Sequence, residues 1–551
     1  MDDNKPKKQI GELLKEKGLI RNEHIAFAIL EQKITKERLG EVLERLGFIT
    51  QYDVVTTLAE QVNVPYLDLD EVLAKDEALK LFNKNLCINN AFLPIRVKDG
   101  KIDVASSSGN SANIAQLITR QTGLIPNFYL SEQRKVINAI HKFYHFMENP
   151  IEKMIETEVR ILTQDTDMAR GMDNLFKYIL QLGVKMRATD IHIRPMEKSI
   201  SIAFRVDGVM VPVLTLPPAL NRIVSSIKMK ADMDIAEQRL PQDGRFSASI
   251  LNNEYDFRAS TIVTPYGENM VMRVLPMETS IMSMTQLGFF SDDVQKVHTM
   301  FNEPFGIILL TGPTGSGKST TLYAGIRSLD LLKENVLTVE DPIEYSLPIL
   351  RQTQVNEKAG YNFSNAIRYF LRHDPDVILV GEIRDGDTAS TAITASSTGH
   401  MVLSTLHTNN AIGAIPRLRD LGVKSFMIAD SLIGVISQRL VRLICQHCKE
   451  EYIPEKWERE YLQDDSIKKL WRGKGCEVCN GTGYFGRTLV YELLSVDKEL
   501  STMIDSEVEL GHITARAKEK GFMDIFSVTV RKVKMGITST EEALRTLGHI
   551  F

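Results

Sequence analysis

The spacing of apolar positions changes along this chain, and each change marks a separate structural region. Over residues 1–62 apolar side chains recur at i, i+3 and i+4, and the pattern is written twice. Gly11-Glu12-Leu13-Leu14 returns as Gly40-Glu41-Val42-Leu43, Gly18-Leu19-Ile20 as Gly47-Phe48-Ile49, and Glu31-Gln32 as Glu60-Gln61, at a constant offset. Each copy reads as a short helix, a glycine stop and a second helix, so a four-helix bundle made by duplication is expected. Residues 63–145 are mixed α/β, with strand-like 91–97 and 101–105 flanking the turn signal Asp99-Gly100. Residues 146–167 are charged and lack a strand pattern, which reads as a linker or connecting helix.

From 168 to 280, helical spacing over 174–185 gives way to alternating strands around Ile191-His192-Ile193 and 201–206. Asp207-Gly208 marks a hairpin, and further strands are expected at 245–250, 254–263 and 270–275. That pattern predicts an antiparallel sheet with helices. Over 281–551 the strands become continuously apolar, at 306–310, 336–340, 377–380 and 401–404, and alternate with helices. Such strands belong in a parallel sheet covered on both faces, the nucleotide-binding type of architecture. The predicted fold class is therefore multidomain α/β.

The composition is globular: 551 residues, 43% apolar, 25% charged, with a net charge of −5. This disfavours a strongly basic nucleic-acid binder, and no nucleic-acid partner is expected. No apolar run reaches the ~18–20 residues that span a bilayer. The start Met1-Asp2-Asp3-Asn4-Lys5-Pro6-Lys7-Lys8 is not followed by an apolar stretch, so it is not read as a secretory signal. The expectation is a cytoplasmic protein that meets membranes only through partners.

The candidate chemistry begins at Gly312-Pro313-Thr314-Gly315-Ser316-Gly317-Lys318-Ser319, a full match to the phosphate-loop template GxxxxGK[ST], with Thr320 following. The strand Ile307-Ile308-Leu309-Leu310 precedes it and a helix can begin at Ser319. Backbone N–H groups of such a loop cradle ATP phosphates, Lys318 reaches the β- and γ-phosphates, and Ser319 ligates Mg²⁺. Glu340 ends one buried strand and Glu382 another, so both should converge on the crevice at the strand C-termini. Gly381 stands where an Asp is more usual, which leaves Glu382 to hold or orient water near Mg²⁺. His407, at a further strand end, fits either a structural role or one at the terminal phosphate.

Four of the five cysteines form two pairs, Cys445/Cys448 and Cys476/Cys479. Two such knuckles in a reducing compartment predict a closed, structural S₄ zinc site, with a redox dithiol pair as the alternative. His447 lies inside the first pair, and Cys87 stands alone as a core residue.

Taken together, the chain resembles the secretion-type P-loop ATPases, and more narrowly the assembly ATPases of type II secretion systems and type IV pili. The likeness rests on the P-loop, Thr338-Val339-Glu340-Asp341-Pro342-Ile343-Glu344-Tyr345, Gly381-Glu382-Ile383-Arg384-Asp385, Thr398-Gly399-His400 and Ser404-Thr405-Leu406-His407-Thr408-Asn409. Asp190-Ile191-His192-Ile193-Arg194-Pro195, Arg239-Leu240-Pro241-Gln242-Asp243-Gly244-Arg245 and the four cysteines extend it. It implies a RecA-like ATPase domain over 281–551 with a zinc-binding insertion at 440–486, behind a PAS-like domain over 168–280. It implies a homo-hexamer in which Glu340 is the general base, Glu382 assists the metal, and Arg245, Arg258 and Arg273 are candidate fingers on a neighbour's nucleotide. The implied partners are an inner-membrane platform protein and a cytoplasmic clamp protein, with recruitment to the cytoplasmic face of that membrane.

The N-terminal repeat is similar to the tandem cyclic-di-GMP-binding motif of some of these ATPases. Arg38, Leu39, Gly40 and Gln61 form the second copy, and Gln9, Gly11 and Gln32 the first, where Gln9 replaces the Arg. A partner-docking bundle is the alternative there. For the whole chain, the alternative is a scaffold switched by nucleotide and cyclic-di-GMP without hydrolysis.

Overall fold

The computed structural model describes residues 10–108, 111–164, 168–277 and 281–548; Gln9 lies outside them. The chain forms two compact units, Met1–Thr50 with Ser280–Phe551, and Gln51–Thr279.

In the Gln51–Thr279 unit, a small sheet is built from Phe92–Lys98, Lys101–Ser106 and Ile125–Leu130. The first two strands pair antiparallel through Asp99-Gly100, both at positive φ as a tight hairpin requires. The third joins in parallel. Its Pro126 and half-exposed pattern hide it from a periodicity reading. The charged stretch 146–167 is no free spacer. It contains the helix Ile151–Gln164, whose Ile151, Ile155 and Leu162 enter the same core as Leu175, Phe176 and Ile179 of the helix Met168–Lys185. These side chains cover a six-stranded antiparallel sheet, in the order Val209–Leu216, Ile200–Val206, Ala188–Pro195, Gly267–Pro276, Asn253–Thr264, Gln242–Ile250.

The other unit is organised on a seven-stranded sheet, in the order Arg351–Gln354, Val336–Glu340, Val377–Val380, Met401–Leu406, Gly306–Thr311, Leu432–Ile444, Tyr484–Ser495. Pairing is parallel until the last two strands, which are antiparallel. Four strands are buried at every residue, as their unbroken apolar runs require. The cysteine-bearing insertion is the excursion between the final antiparallel pair.

Contact density groups the N-terminal helices differently from a self-contained bundle. Ile10–Glu16, Asn22–Thr35 and Leu39–Arg45 belong with the seven-stranded sheet, whereas Gln51–Val62 belongs to the other unit. There Val55 and Ala59 of Gln51–Val62 cluster with Leu130. The first three helices are fastened by Arg21 to Asp330 (2.6 Å) and by the Arg327 Nε–H donating to the Gly47 carbonyl (3.0 Å). His24 stacks on Phe48 beside that junction, ring centroids 4.4 Å apart.

Candidate active site

The P-loop leaves the Gly306–Thr311 strand and enters the helix Lys318–Ile326. Gly312 has φ 137°, and a Cβ there would lie 2.3 Å from the Gln438 carbonyl, so the loop can only curl this tightly with glycine. Gly317, also left-handed, caps the helix start. The Gln438 side chain donates to the Ser316 carbonyl (2.8 Å) and braces the loop from the neighbouring strand. Lys318 Nζ donates to the carbonyls of Gly312 (2.9 Å) and Pro313 (3.1 Å). Burial lowers the Lys318 pKa, and the charge of Glu382 works against that shift. Ser319 is exposed and Thr320 half-buried, the latter sharing a hydrogen bond with the Tyr345 hydroxyl (3.1 Å).

The two acids sit at the ends of adjacent strands. Glu340 is only 4% exposed. Its Oε1 accepts from the hydroxyls of Tyr323 and Thr338, each at 2.7 Å, with the Gln352 amide at 3.4 Å. Burying a polar carboxyl costs free energy that such donors offset. Glu382 lies one residue beyond Gly381, whose Cβ would meet the Val339 carbonyl at 3.3 Å and Glu340 Cα at 3.4 Å. Glycine there lets the second acid approach the backbone of the first.

His407 Nε2 lies 3.6 Å from Glu382 Oε2, and Arg384 pairs with Glu382 Oε1. Glu382, His407 and Arg384 therefore form one polar cluster beside the loop, near enough for the Glu382 charge to act on Lys318. His400 has a different place: its Nδ1 contacts the Ala395 carbonyl (3.0 Å) at the end of the Gly386–Ser397 helix. Hydroxyl and carboxylate oxygens, from Ser319 and Glu382, are the hard donors that suit Mg²⁺.

The three arginines are direct cross-strand neighbours. Arg245 faces Arg258, Arg258 faces Arg273, and Arg273 faces Asp190, which faces Arg205. Asp190 takes Arg273 Nε at 3.0 Å and lies 3.8 Å from Arg205 Nε. Among the described residues Arg245 and Arg258 make no ion pair, and Arg258 Nε is buried without a partner. Like charges directly opposite each other destabilise a sheet.

The sulfurs of Cys445, Cys448, Cys476 and Cys479 lie within 4.8 Å of one another. Three pairs are 3.7, 3.8 and 3.9 Å apart. Tetrahedral Zn–S bonds of ~2.3 Å require S···S separations of about 3.8 Å, so the four thiols fit zinc. Burial acts to raise the Cys479 thiol, but the N–H groups of Cys476 and Gly483 overcome it and bring the pKa to about 7. No disulfide links these cysteines.

In the N-terminal repeat, Gly11 faces Leu39 and Ile25 at ordinary contact distance, and Gln32 Nε2 donates to the Glu37 carbonyl (2.9 Å). Arg38 precedes the Leu39–Arg45 helix, and its backbone N–H donates to Glu41 (2.8 Å). Gly40 has open space where a side chain would stand. Gln61 is in the Gln51–Thr279 unit and the others are not.

Sequence reading missed Tyr323 and Gln352, which hydrogen-bond to Glu340, and Gln438, which braces the loop. Their signal is faint: a hydroxyl or amide placed among apolar neighbours on a buried element.

Residues 165–545 match the family described as type II/IV secretion system protein, and residues 62–150 match the MshEN domain. The type II secretion system ATPase E of Vibrio cholerae is 45% identical over 398 residues, covering 70% of this chain and 78% of that protein. The type IV pilus assembly ATPase PilB of Myxococcus xanthus is 33% identical over 557 residues, covering 97% and 98%. The solved ATPase DotB of Legionella pneumophila superposes with a TM-score of 0.50 at 20% identity, over 67% of this chain and 94% of that one, a likeness of fold.

Proposed function

The chain belongs to the type II/IV secretion system protein family and is an ATPase, and we propose that it is the ring-forming motor of a type IV pilus assembly or type II secretion machine. The observation that carries this reading is the convergence of Lys318 and Glu382 beside the P-loop, with Glu340 buried one strand away. In the proposed reaction Glu340 takes a proton from water as the water oxygen attacks the γ-phosphorus. The bond to the β-phosphate oxygen breaks, and ADP leaves. Lys318 neutralises charge growing on the leaving oxygens. Mg²⁺, held by Ser319 and Glu382, supplies further neutralisation of the phosphates when bound. His407, beside Glu382, is placed to respond to the terminal phosphate.

Arginines of the Arg245–Arg258–Arg273 row would complete the charge at a neighbouring copy's nucleotide, which requires a ring, six-fold in this reading. No helix among the described residues is long and apolar enough to cross a membrane. Work on the membrane would therefore pass through a platform protein, with the N-terminal region docking a cytoplasmic clamp protein at the inner face. Zinc on the four cysteines would hold the insertion's shape. Cyclic-di-GMP at the N-terminal repeat would regulate the motor, through Gly11, Gln32, Arg38, Leu39, Gly40 and Gln61, with Gln9 in place of the first arginine.

The test is phosphate release by the purified chain, alone and with a cognate platform protein. Lys318→Ala and Glu340→Gln should each abolish turnover. Turnover at the unmodified rate in either variant removes that residue's role. Bound ATP that never becomes ADP in a single-turnover assay would favour the non-hydrolysing scaffold instead.

A further inference from the structure

The Glu340 carboxylate is held asymmetrically. Two hydroxyls donate to Oε1, Tyr323 from the P-loop helix and Thr338 from its own strand, while the Gln352 amide of the edge strand lies 3.4 Å away. The Gln352 amide is itself fixed in orientation. Its oxygen accepts from the Leu347 N–H (2.8 Å), and its NH₂ donates to the Tyr345 carbonyl (2.8 Å) and to the Tyr323 hydroxyl (2.7 Å). Tyr323 therefore accepts from Gln352 and donates to Glu340, a directional chain with no freedom to turn round. Tyr323 and Thr338 are fully buried, so water does not substitute for either hydroxyl. Burial, with Glu340 beside it, pushes the Tyr323 phenol well above its ordinary range, so it stays a donor at all working pH values.

We propose that Tyr323 and Thr338, steadied by Gln352, are positioning residues for hydrolysis: they saturate Oε1 of Glu340 so that only Oε2 accepts the proton of the attacking water. A carboxylate free to rotate would divide its time between two acceptors and many water positions. Fixing one oxygen leaves one direction for the other, which is what proximity catalysis needs. Because Tyr323 rides on the helix that begins at Lys318, the clamp also ties the aim of the base to the phosphate loop. This inference rests on Glu340 being the general base.

The experiment compares full-length Tyr323→Phe, Thr338→Val, Thr338→Ser and Glu340→Gln in steady-state ATP hydrolysis, with ADP affinity and thermal melting measured alongside. Tyr323→Phe and Thr338→Val keep the packing and delete one donor each. Each should lower kcat about tenfold, the size of one charge-assisted hydrogen bond, with KM for ATP and ADP affinity within about twofold. Thr338→Ser restores the donor and should restore kcat. Unchanged kcat in both Tyr323→Phe and Thr338→Val, while Glu340→Gln is inactive, overturns the clamp and spares the base. Normal turnover in Glu340→Gln overturns both. Equal loss in Thr338→Ser and Thr338→Val also overturns the clamp, since the hydroxyl would then be irrelevant.

Discussion

The acidic cluster of the parallel sheet and the arginine row of the antiparallel sheet handle charge in opposite ways. Glu340 is buried and supplied with donors, and Glu382 is already flanked by Arg384 and His407. The row sets Arg245, Arg258 and Arg273 side by side, with Asp190 on the last alone. The first arrangement is electrostatically settled, whereas the second spends stability that only an anionic visitor would return. A phosphate brought by another copy of the chain is such a visitor. The difference also ranks the arginines. Arg273 is committed to Asp190, so under the proposed function Arg245 and Arg258 are the candidates left to reach a phosphate.

The sharpest way to break that contrast is to delete a candidate finger. Arg258→Ala should lower kcat by roughly 10³-fold while ATP binding survives, because the finger acts on transition-state charge. Mixing this variant with inactive Glu340→Gln should recover part of the activity. Some interfaces in a mixed ring then join an intact acid on one copy to an intact arginine on the next. Failure of the mixture, with mixed rings shown to form, would mean that acid and arginine act within one chain.

The legibility of the two regions differs for a physical reason. A P-loop is written in consecutive residues, and continuous apolar runs announced the buried strands of Gly306–Thr311, Val336–Glu340, Val377–Val380 and Met401–Leu406. The cysteine pairs were equally plain, since knuckle spacing is local. Cross-strand register is not local. That Arg258 stands between Arg245 and Arg273 depends on how three strands align, which spacing along the chain does not encode. The helix Ile151–Gln164 was obscured because its charged face outnumbers Ile151, Ile155 and Leu162, the positions that anchor it. Edge strands such as Arg351–Gln354 carry no apolar alternation to read. Tyr323 and Gln352 were invisible for the same reason as the row: their partner lies on another element.

The next largest effect belongs to the cysteine cluster, a third way of handling charge, in which thiolates would be neutralised by metal. Elemental analysis should give about one zinc per chain, and chelation should release it together with four reactive thiols. Cys476→Ser should lower the melting temperature by several degrees, with the loss confined to the insertion. A metal-free protein of unchanged stability would reject the site.

Asp190→Asn then tests the ranking of the arginines. It should cost about 1 kcal/mol of stability, since the guanidinium of Arg273 is half-exposed and screened. It should leave turnover within about twofold, and Arg273→Ala should do the same. A loss of kcat as large as that of Arg258→Ala would place Arg273 among the fingers and erase the distinction drawn from its ion pair.

The smallest effect lies where the N-terminal helices meet the P-loop unit. His24 is buried on Phe48, 3.8 Å from Asp330, with Arg21 and Lys333 on the same carboxylate and Glu23 on Lys333. Burial lowers its pKa below the ordinary 6.5; Asp330 opposes the shift but is already engaged by Arg21 at 2.6 Å. The docked state therefore prefers neutral imidazole, while the undocked segment binds a proton near pH 6.5. Stability from this group is complete above that value and declines as pH falls below it. Between pH 7.5 and 5.5 the loss should be small and seen as faster amide exchange in the helix Asn22–Thr35. His24→Phe keeps a ring on Phe48 and removes the proton, so its exchange should lose the histidine-specific acceleration on acidification. If both proteins lose protection equally, the pH response comes from elsewhere, and the histidine is a packing residue alone.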